Sequence, residues 1–405
     1  MKILKIGHMG DAHLTEKKYV DDSKRSLQFI RDEVLSDKEM DALIVPGDVW
    51  DGLVKLDKNS PLYFAAEYFK QIADEKPILM IYGNHDKPNS LEIFNIMSEN
   101  IYVVSKIIEL VYIHEKKFYP LSEFKNSGHP KPNAVFYCIP YPEHNKWLDD
   151  KTILNGKIED DELDKKIKEE LIKQDQFVKD LGLIDVKKII VAHGSLEGFI
   201  QNEYISKMVA DNYHFSIDTF NSINPDYVAL GHIHKFQTLM NGKACYPSSI
   251  YSVNFGERDK KFFCKITFSK ENAVDEFHFE KKEIPTRSRE VLSLKWDKNK
   301  TDEEFIQLIN KTIEDSKSKI DKSTFEIAIT APSRILDNIV YASDYDIKIK
   351  TDTIETDPQK ITLIEDEEEE DLFTRWYKLK FEVDPKKELL EKHEMILKEM
   401  RDEEL

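Results

Sequence analysis

Three imidazoles stand at the ends of apolar, strand-like runs. His193 closes KKIIVAH, and His232 and His234 follow DYVALG in the stretch YVALGHIHK. Imidazole is the commonest metal-binding side chain, so the question is what would complete a site around them. The same placement recurs earlier in the chain. Asp11 and His13 follow KILKIG, Asp48 follows ALIVPG, and Asn84, His85 and Asp86 follow PILMIYG. One ion could not use so many donors and still leave room for a substrate. Two ions a few ångströms apart could, with one carboxylate shared between them. Asp48 is the natural bridge, because the turn after Gly47 can aim its carboxylate into the middle of the group. No cysteine belongs to the set, which argues against a thiolate structural site. Imidazole with carboxylate and amide oxygen suits Mn²⁺ and also admits Fe²⁺, Zn²⁺ or Mg²⁺. Any of these histidines alone would more often be structural; seven donors in order at strand ends reverse those odds.

Such donors meet only if their strands lie side by side. Further strands are predicted at 134–140, 187–193, 226–231 and 262–268. Residues 22–36 place Leu27, Ile30 and Val34 at helical spacing. Ser60 and Pro61 mark the start of a second helix striped by Leu62, Ala65, Ala66 and Phe69. Ser90 is expected to cap a third, carrying Leu91, Phe94 and Met97. Residues 146–181 read as one or two charge-rich surface helices. Strands alternating with helices predict a layered α/β core, whose ligands gather where the strand-ending loops converge. His8 lies on the first strand itself and reads as a core or supporting residue. His114, His129, His144, His214, His278 and His393 have no partner pattern.

The 405 residues allow two or three domains. With 59 basic against 77 acidic residues the net charge is -18, which argues against a general nucleic-acid binder. A local basic patch or a basic partner can override that balance. The local candidates are Arg258, Lys260 and Lys261, and Arg287 with Arg289; an ordinary surface role competes for each. Cys138, Cys245 and Cys264 lie in or beside apolar runs without CxxC spacing, so buried reduced thiols are expected. With neither a membrane-length apolar run nor a signal-peptide pattern, a cytoplasmic protein is expected.

In their order, DAH, GDVWD, GNHD, VAHG and GHIH resemble the five signatures of the calcineurin-like metallophosphoesterases. The resemblance implies a four-layer α/β core, two packed mixed β-sheets flanked by helices. It implies one ion held by Asp11, His13, Asp48 and His234, and a second held by Asp48, Asn84, His193 and His232. It makes His85 the general acid or transition-state stabiliser, with Asp86 orienting it. Two such ions would activate a water and neutralise charge growing on the phosphoryl oxygens. An imidazole pKa near 6.5 suits proton donation to the departing alkoxide. Asp51 stands where some relatives carry a histidine that assists catalysis, and a carboxylate could not donate in the same way.

GDVWDGLV lacks the arginine that follows the second aspartate in serine/threonine phosphatases of this superfamily. YPSSIYSVNFGE (246–257) resembles the Tyr-x-Gly-Ser…Phe-x-Glu segment of SbcD-type DNA-repair nucleases, the meiotic-recombination-eleven family, with Ser248 where glycine is usual. That resemblance implies a nuclease domain over 1–285 and a DNA-positioning α+β capping domain over 286–360, with Phe305, Leu308, Ile309 and Ile313 inward. An acidic linker over 361–372 and a helical segment over 373–405 would follow. The stripe Leu389, Leu390, Ile396, Leu397 and Met400 would then dock an SbcC-like, SMC-family ATPase. Helices near 61–73 and 91–100 match the place where such nucleases form homodimers, although both could simply pack on the sheet. The expected function is a Mn²⁺-dependent 3′–5′ exonuclease and endonuclease acting on DNA ends, double- or single-stranded, in repair, recombination or replication. The rivals are a small-molecule or nucleotide phosphodiesterase or phosphatase, and a non-catalytic scaffold subunit.

Overall fold

The computed structural model describes residues 2–16, 19–52, 60–106, 108–124, 131–142, 160–200, 213–254, 256–271, 274–297, 299–337, 339 and 346–353, with scattered positions between 374 and 392. The chain opens with β1 (Lys2–His8), α1 (Val20–Ser36), β2 (Ala42–Val45), α2 (Pro61–Ala73), β3 (Ile78–Ile81), α3 (Glu92–Met97) and β4 (Ile101–Val104). It continues through β5 (Glu109–His114), β6 (Lys117–Pro120), β7 (Ala134–Ile139), α4 (Asp160–Asp180), β8 (Lys187–His193), β9 (Ser195–Leu196) and β10 (His214–Phe215). Then come α5 (Ile217–Asn221), β11 (Tyr227–Gly231), β12 (Gln237–Leu239), β13 (Ala244–Tyr246), β14 (Lys261–Glu271) and β15 (Val274–Ile284). The last elements are β16 (Ser288–Lys295), α6 (Asp302–Lys317), β17 (Ser323–Ala331), α7 (Ser333–Leu336) and β18 (Ile347–Thr353).

Two mixed sheets carry the core. The first runs β15-β14-β1-β2-β3-β4 and the second β12-β13-β11-β8-β7-β5-β6. Strands β2, β3, β7 and β11 are buried at every residue, as expected of apolar runs in a sheet covered on both faces. Between the sheets pack Leu4, Ile6, Ile44 and Leu79 with Phe136, Ile189, Val191 and Ala229. On the outer face of the first sheet, Leu27, Ile30 and Val34 of α1 and Ala65 and Phe69 of α2 meet Leu43, Val45 and Met80. On the outer face of the second, Leu163, Ile167 and Leu171 of α4 meet Val135, Tyr137 and Ile190. Helix, sheet, sheet and helix make four layers, the architecture anticipated from the sequence.

Local signals explain most of the helix starts. Ser60 Oγ accepts from Leu62 N–H at 3.2 Å, and Pro61 occupies the first turn of α2. Ser90 does not cap α3: the helix begins after Leu91 with no side-chain cap. Of the amphipathic stretch 146–181, α4 covers the described part. Short polar strands were not foreseen, nor was β15, which pairs antiparallel with β14 from Lys261↔Ile284 to Glu271↔Val274.

Strands β16, β17 and β18 form a separate three-stranded sheet. In α6, Phe305, Ile309 and Ile313 are buried at a four-residue spacing, whereas Leu308, expected inward, is 37% exposed. By packing, the chain divides into two units. One is Met1–Leu292 with Asn310–Ile327 and Ala342–Ile349; the other is Ser293–Ile309 with Ala328–Tyr341 and Lys350–Leu405. Among the described residues no helix is long and apolar enough to cross a membrane. The acidic linker 361–372 lies outside the described residues, as do Ile396, Leu397 and Met400; Leu389 is exposed and Leu390 half-buried.

Candidate metal centre

The carboxyl end of β8 and the loops after β1, β2, β3 and β11 bring all seven expected donors together. β1, β2 and β3 are parallel neighbours, as are β8 and β11, so the carboxyl ends of each set point the same way. The first sheet supplies Asp11, His13, Asp48 and Asn84, and the second supplies His193, His232 and His234. Asp11, His13 and Asp48 converge closely enough to share an ion, as do Asp48, His193 and His232. His234 joins the first group, its Nε2 lying 2.9 Å from His13 Nε2. Asn84 joins the second, its Oδ1 lying 2.9 Å from His193 Nε2 and 3.0 Å from His232 Nδ1.

Asp48 is arranged as a bridge. Its Oδ1 accepts from the His85 backbone N–H at 2.8 Å, which fixes the carboxylate. Its Oδ2 lies 3.4 Å from His13 Nε2 and 3.3 Å from His193 Nε2, between the two groups. Asp11 is held in the same manner: Oδ1 accepts from His232 N–H at 2.8 Å, while Oδ2 is buried without a hydrogen-bond partner. His232 Nε2 is likewise buried and unpartnered. Buried polar atoms are normally satisfied, so converging unsatisfied donors fit a pair of divalent cations, and the oxygen–imidazole set fits the borderline metals.

The backbone bends to make this convergence. His13 (φ 41°), Asp48 (φ 50°) and His232 (φ 98°) occupy the left-handed region that ordinary residues avoid, a strain typical of functional sites. Gly47 (φ 96°) cannot carry a side chain, since a Cβ there would fall 2.5 Å from His193 Nδ1 and 2.7 Å from Gly83 N.

Outer contacts orient the imidazoles. The Pro46 carbonyl accepts a hydrogen bond from His193 Nδ1–H at 2.7 Å, leaving Nε2 to face the site. Glu257 does the same for His234, its Oε1 lying 2.8 Å from Nδ1. The other Glu257 oxygen accepts from Lys261 Nζ at 2.6 Å and Ser249 Oγ at 3.0 Å, and both charged residues are fully buried. Burial would raise the Glu257 carboxyl, but Lys261 and His234 hold it well below the usual carboxylate range. No candidate role was given to Glu257 in the sequence, although it closes YPSSIYSVNFGE. Ser248 in that segment adopts φ 94°, as the usual glycine would, while its Oγ accepts from Phe262 N–H at 3.0 Å.

Electrostatics report the crowding. Burial would lower His193, yet the Asp48 and Asp11 carboxylates push it up to about 9. His232 is lowered to about 3 by burial and by the His193 charge. Burial and the Asp48 charge push Asp86 up to about 6.

His85 is 44% exposed at the edge of the cluster, its ring centroid 4.7 Å from that of His13. Asp86 does not orient it. The Asp86 carboxylate accepts from Trp50 N–H and Gly83 N–H, both at 2.9 Å, and so braces the two loops instead. The carboxylate beside His85 is Asp51, with Oδ1 3.2 Å from Nδ1; hydrogen bonds from His13 and His85 hold its carboxyl low. His8 is fully buried beside Tyr227 OH at 2.9 Å and stays outside the cluster.

Three of the five basic candidates for DNA contact are engaged within the fold. Lys261 is fully buried in its pair with Glu257. Arg287 is clamped by Asp22 at 2.6 Å and Asp346 at 2.7 Å, and Arg289 is buried over the Tyr19 ring. Arg258 and Lys260 remain at the surface, Lys260 paired with Glu283 at 2.7 Å.

Compared with known families, residues 4–236, more than half of the chain, match the model described as "Calcineurin-like phosphoesterase". The matched span holds every donor of both clusters and stops short of Glu257.

Proposed function

The chain belongs to the calcineurin-like phosphoesterase family, and from that premise we propose that it is a dimetal-dependent DNA nuclease, the catalytic subunit of an SbcCD-like nuclease–ATPase complex. Metal-dependent phosphoester hydrolysis is the chemistry of the family. The observation that carries the finer reading is Glu257. It lies beyond the matched span, in the segment similar to that of SbcD-type nucleases, and reaches back to hold His234. The complete donor set speaks against a scaffold that has lost its chemistry.

When bound, the two ions supply Lewis acidity and an activated water. Asp11, His13, Asp48 and His234 would hold one, and Asp48, Asn84, His193 and His232 the other. The chain itself does the rest. Asp51 accepts a hydrogen bond from His85 Nδ1–H, which fixes the ring with Nε2 as the atom able to give a proton to the departing oxygen. Arg258 and Lys260 are the surface cations that would meet the DNA backbone. Tyr63 of α2 and Ile96 of α3, 61% and 81% exposed, suit a homodimer contact. The stripe from Leu389 to Met400 would dock the ATPase.

Incubation of the full chain with blunt linear duplex DNA tests the reading. Mn²⁺ should yield nucleotides and EDTA none, with stimulation by an SbcC-like ATPase. Hydrolysis of nucleotide monoesters with intact DNA would instead establish the small-substrate phosphatase.

A further inference from the structure

We propose that Tyr141 is the platform on which this site receives a nucleoside of its substrate, a role that rests on the nuclease reading above. Its ring lies 6.0 Å from that of His232 and 6.1 Å from that of His193, centroid to centroid, tilted 32° to the first and 75° to the second. Tyr141 follows β7 after Pro140, and its backbone N–H donates to Tyr82 O at 2.9 Å. That bond ties the loop after β7 to the loop after β3, which carries Asn84 and His85. The backbone is thereby held beside one lobe of the cluster, where the ring packs against His193 and His232 and the residue as a whole is half-buried. His85 flanks the other lobe, beside His13.

A phosphodiester brings two substituents to such a site. The departing one needs a proton, and His85 with Asp51 is placed to supply it. The other stays esterified to phosphorus, and Tyr141 offers it a flat apolar face. Stacking on an aromatic ring tolerates any sequence, because every base has a π-face. An enzyme that degrades ends of arbitrary sequence needs that kind of contact. If Tyr141 merely propped the His193 and His232 rings, its loss would weaken every substrate equally.

Two esters with one leaving group separate these roles on the Mn²⁺-loaded full chain: thymidine 5′-(4-nitrophenyl) phosphate and methyl 4-nitrophenyl phosphate. The ratio of their kcat/KM values should fall roughly 5- to 150-fold in Tyr141→Ala, the equivalent of one lost stacking contact. Tyr141→Trp and Tyr141→Phe should keep it. Fluorescence anisotropy of a dye-labelled phosphorothioate oligonucleotide should rank affinities in the same order without turnover. A thymidine preference that survives in Tyr141→Ala overturns the platform alone. A wild-type chain with no such preference also overturns the platform, whereas only a failure to degrade duplex DNA overturns the nuclease reading.

Discussion

Glu257 and Asp51 act on the centre through imidazoles, and each makes a separable prediction. Replacing Glu257 with glutamine removes the charge that orients His234 and leaves Lys261 buried without its counter-ion. Loss of such an outer partner typically weakens metal binding 10- to 100-fold, and breaking a buried pair costs about 3–5 kcal/mol. Calorimetric titration with Mn²⁺ and urea unfolding should register the two effects. In Glu257→Gln/Lys261→Met, stability should recover while the metal affinity stays low; an unaltered Mn²⁺ isotherm would refute the orienting role. Asp51→Asn should slow DNA hydrolysis by about 10²-fold, within the usual range for proton transfer. It should slow 4-nitrophenyl esters far less, because nitrophenolate departs without a proton. Equal losses on both would remove Asp51 from the proton path.

At the scale of elements, one carboxylate couples α4 to the second sheet. Asp175 is buried and receives Tyr137 OH at 2.9 Å, Lys188 Nζ at 2.6 Å and Lys179 Nζ at 2.7 Å. Burial would raise its pKa, but these three partners outweigh it and hold the carboxyl below its ordinary value. A carboxyl depressed on folding stabilises the native state above its unfolded pKa, and that contribution disappears as pH falls through the folded value. Asp175→Asn should therefore cost about 1–3 kcal/mol at pH 7, where Lys179 and Lys188 lose the charge they pair with while Tyr137 keeps an oxygen acceptor. The gap from wild type should narrow as acid protonates the native carboxyl. Urea midpoints at pH 7 and pH 3 check both; a gap that is constant with pH would refute the coupling. The strands and the donors at their ends were legible because long apolar runs followed by Asp, His or Asn combine a local pattern with a local consequence. What escaped reading depended on distant partners. Arg289 looks like a surface cation until the Tyr19 ring is brought to it from elsewhere in the fold, and Lys261 does so until its near neighbour Glu257 is drawn inward to the distant His234. Asp86 adjoins His85 in sequence yet points away from it, while Asp51, more than thirty residues earlier, arrives through the fold of the GDVWD loop. β15 went unseen because its polar and apolar residues lean on β14 rather than on a core of their own.

Across the whole molecule, the centre is a joint between two sheets. Ions bound there would link the loops of β1, β2 and β3 to those of β8 and β11, so loading should raise global stability by about 2.7 kcal/mol at a metal concentration 100 times Kd. Thermal unfolding in EDTA and in Mn²⁺ measures that shift, and hydrogen exchange should slow in both sets of loops together. Protection confined to one sheet would contradict a shared joint. The order of synthesis gives this arrangement a second meaning. β1 leaves the ribosome well before its antiparallel neighbour β14, which is made some 260 residues later, and Glu257 comes barely earlier than β14. Until then a nascent chain carries an open strand edge beside an unfinished centre, a species that invites mispairing. The same delay separates possession from use: a chain translated only as far as His234 holds all seven donors, but neither the Glu257 that orients His234 nor the strand that seals β1.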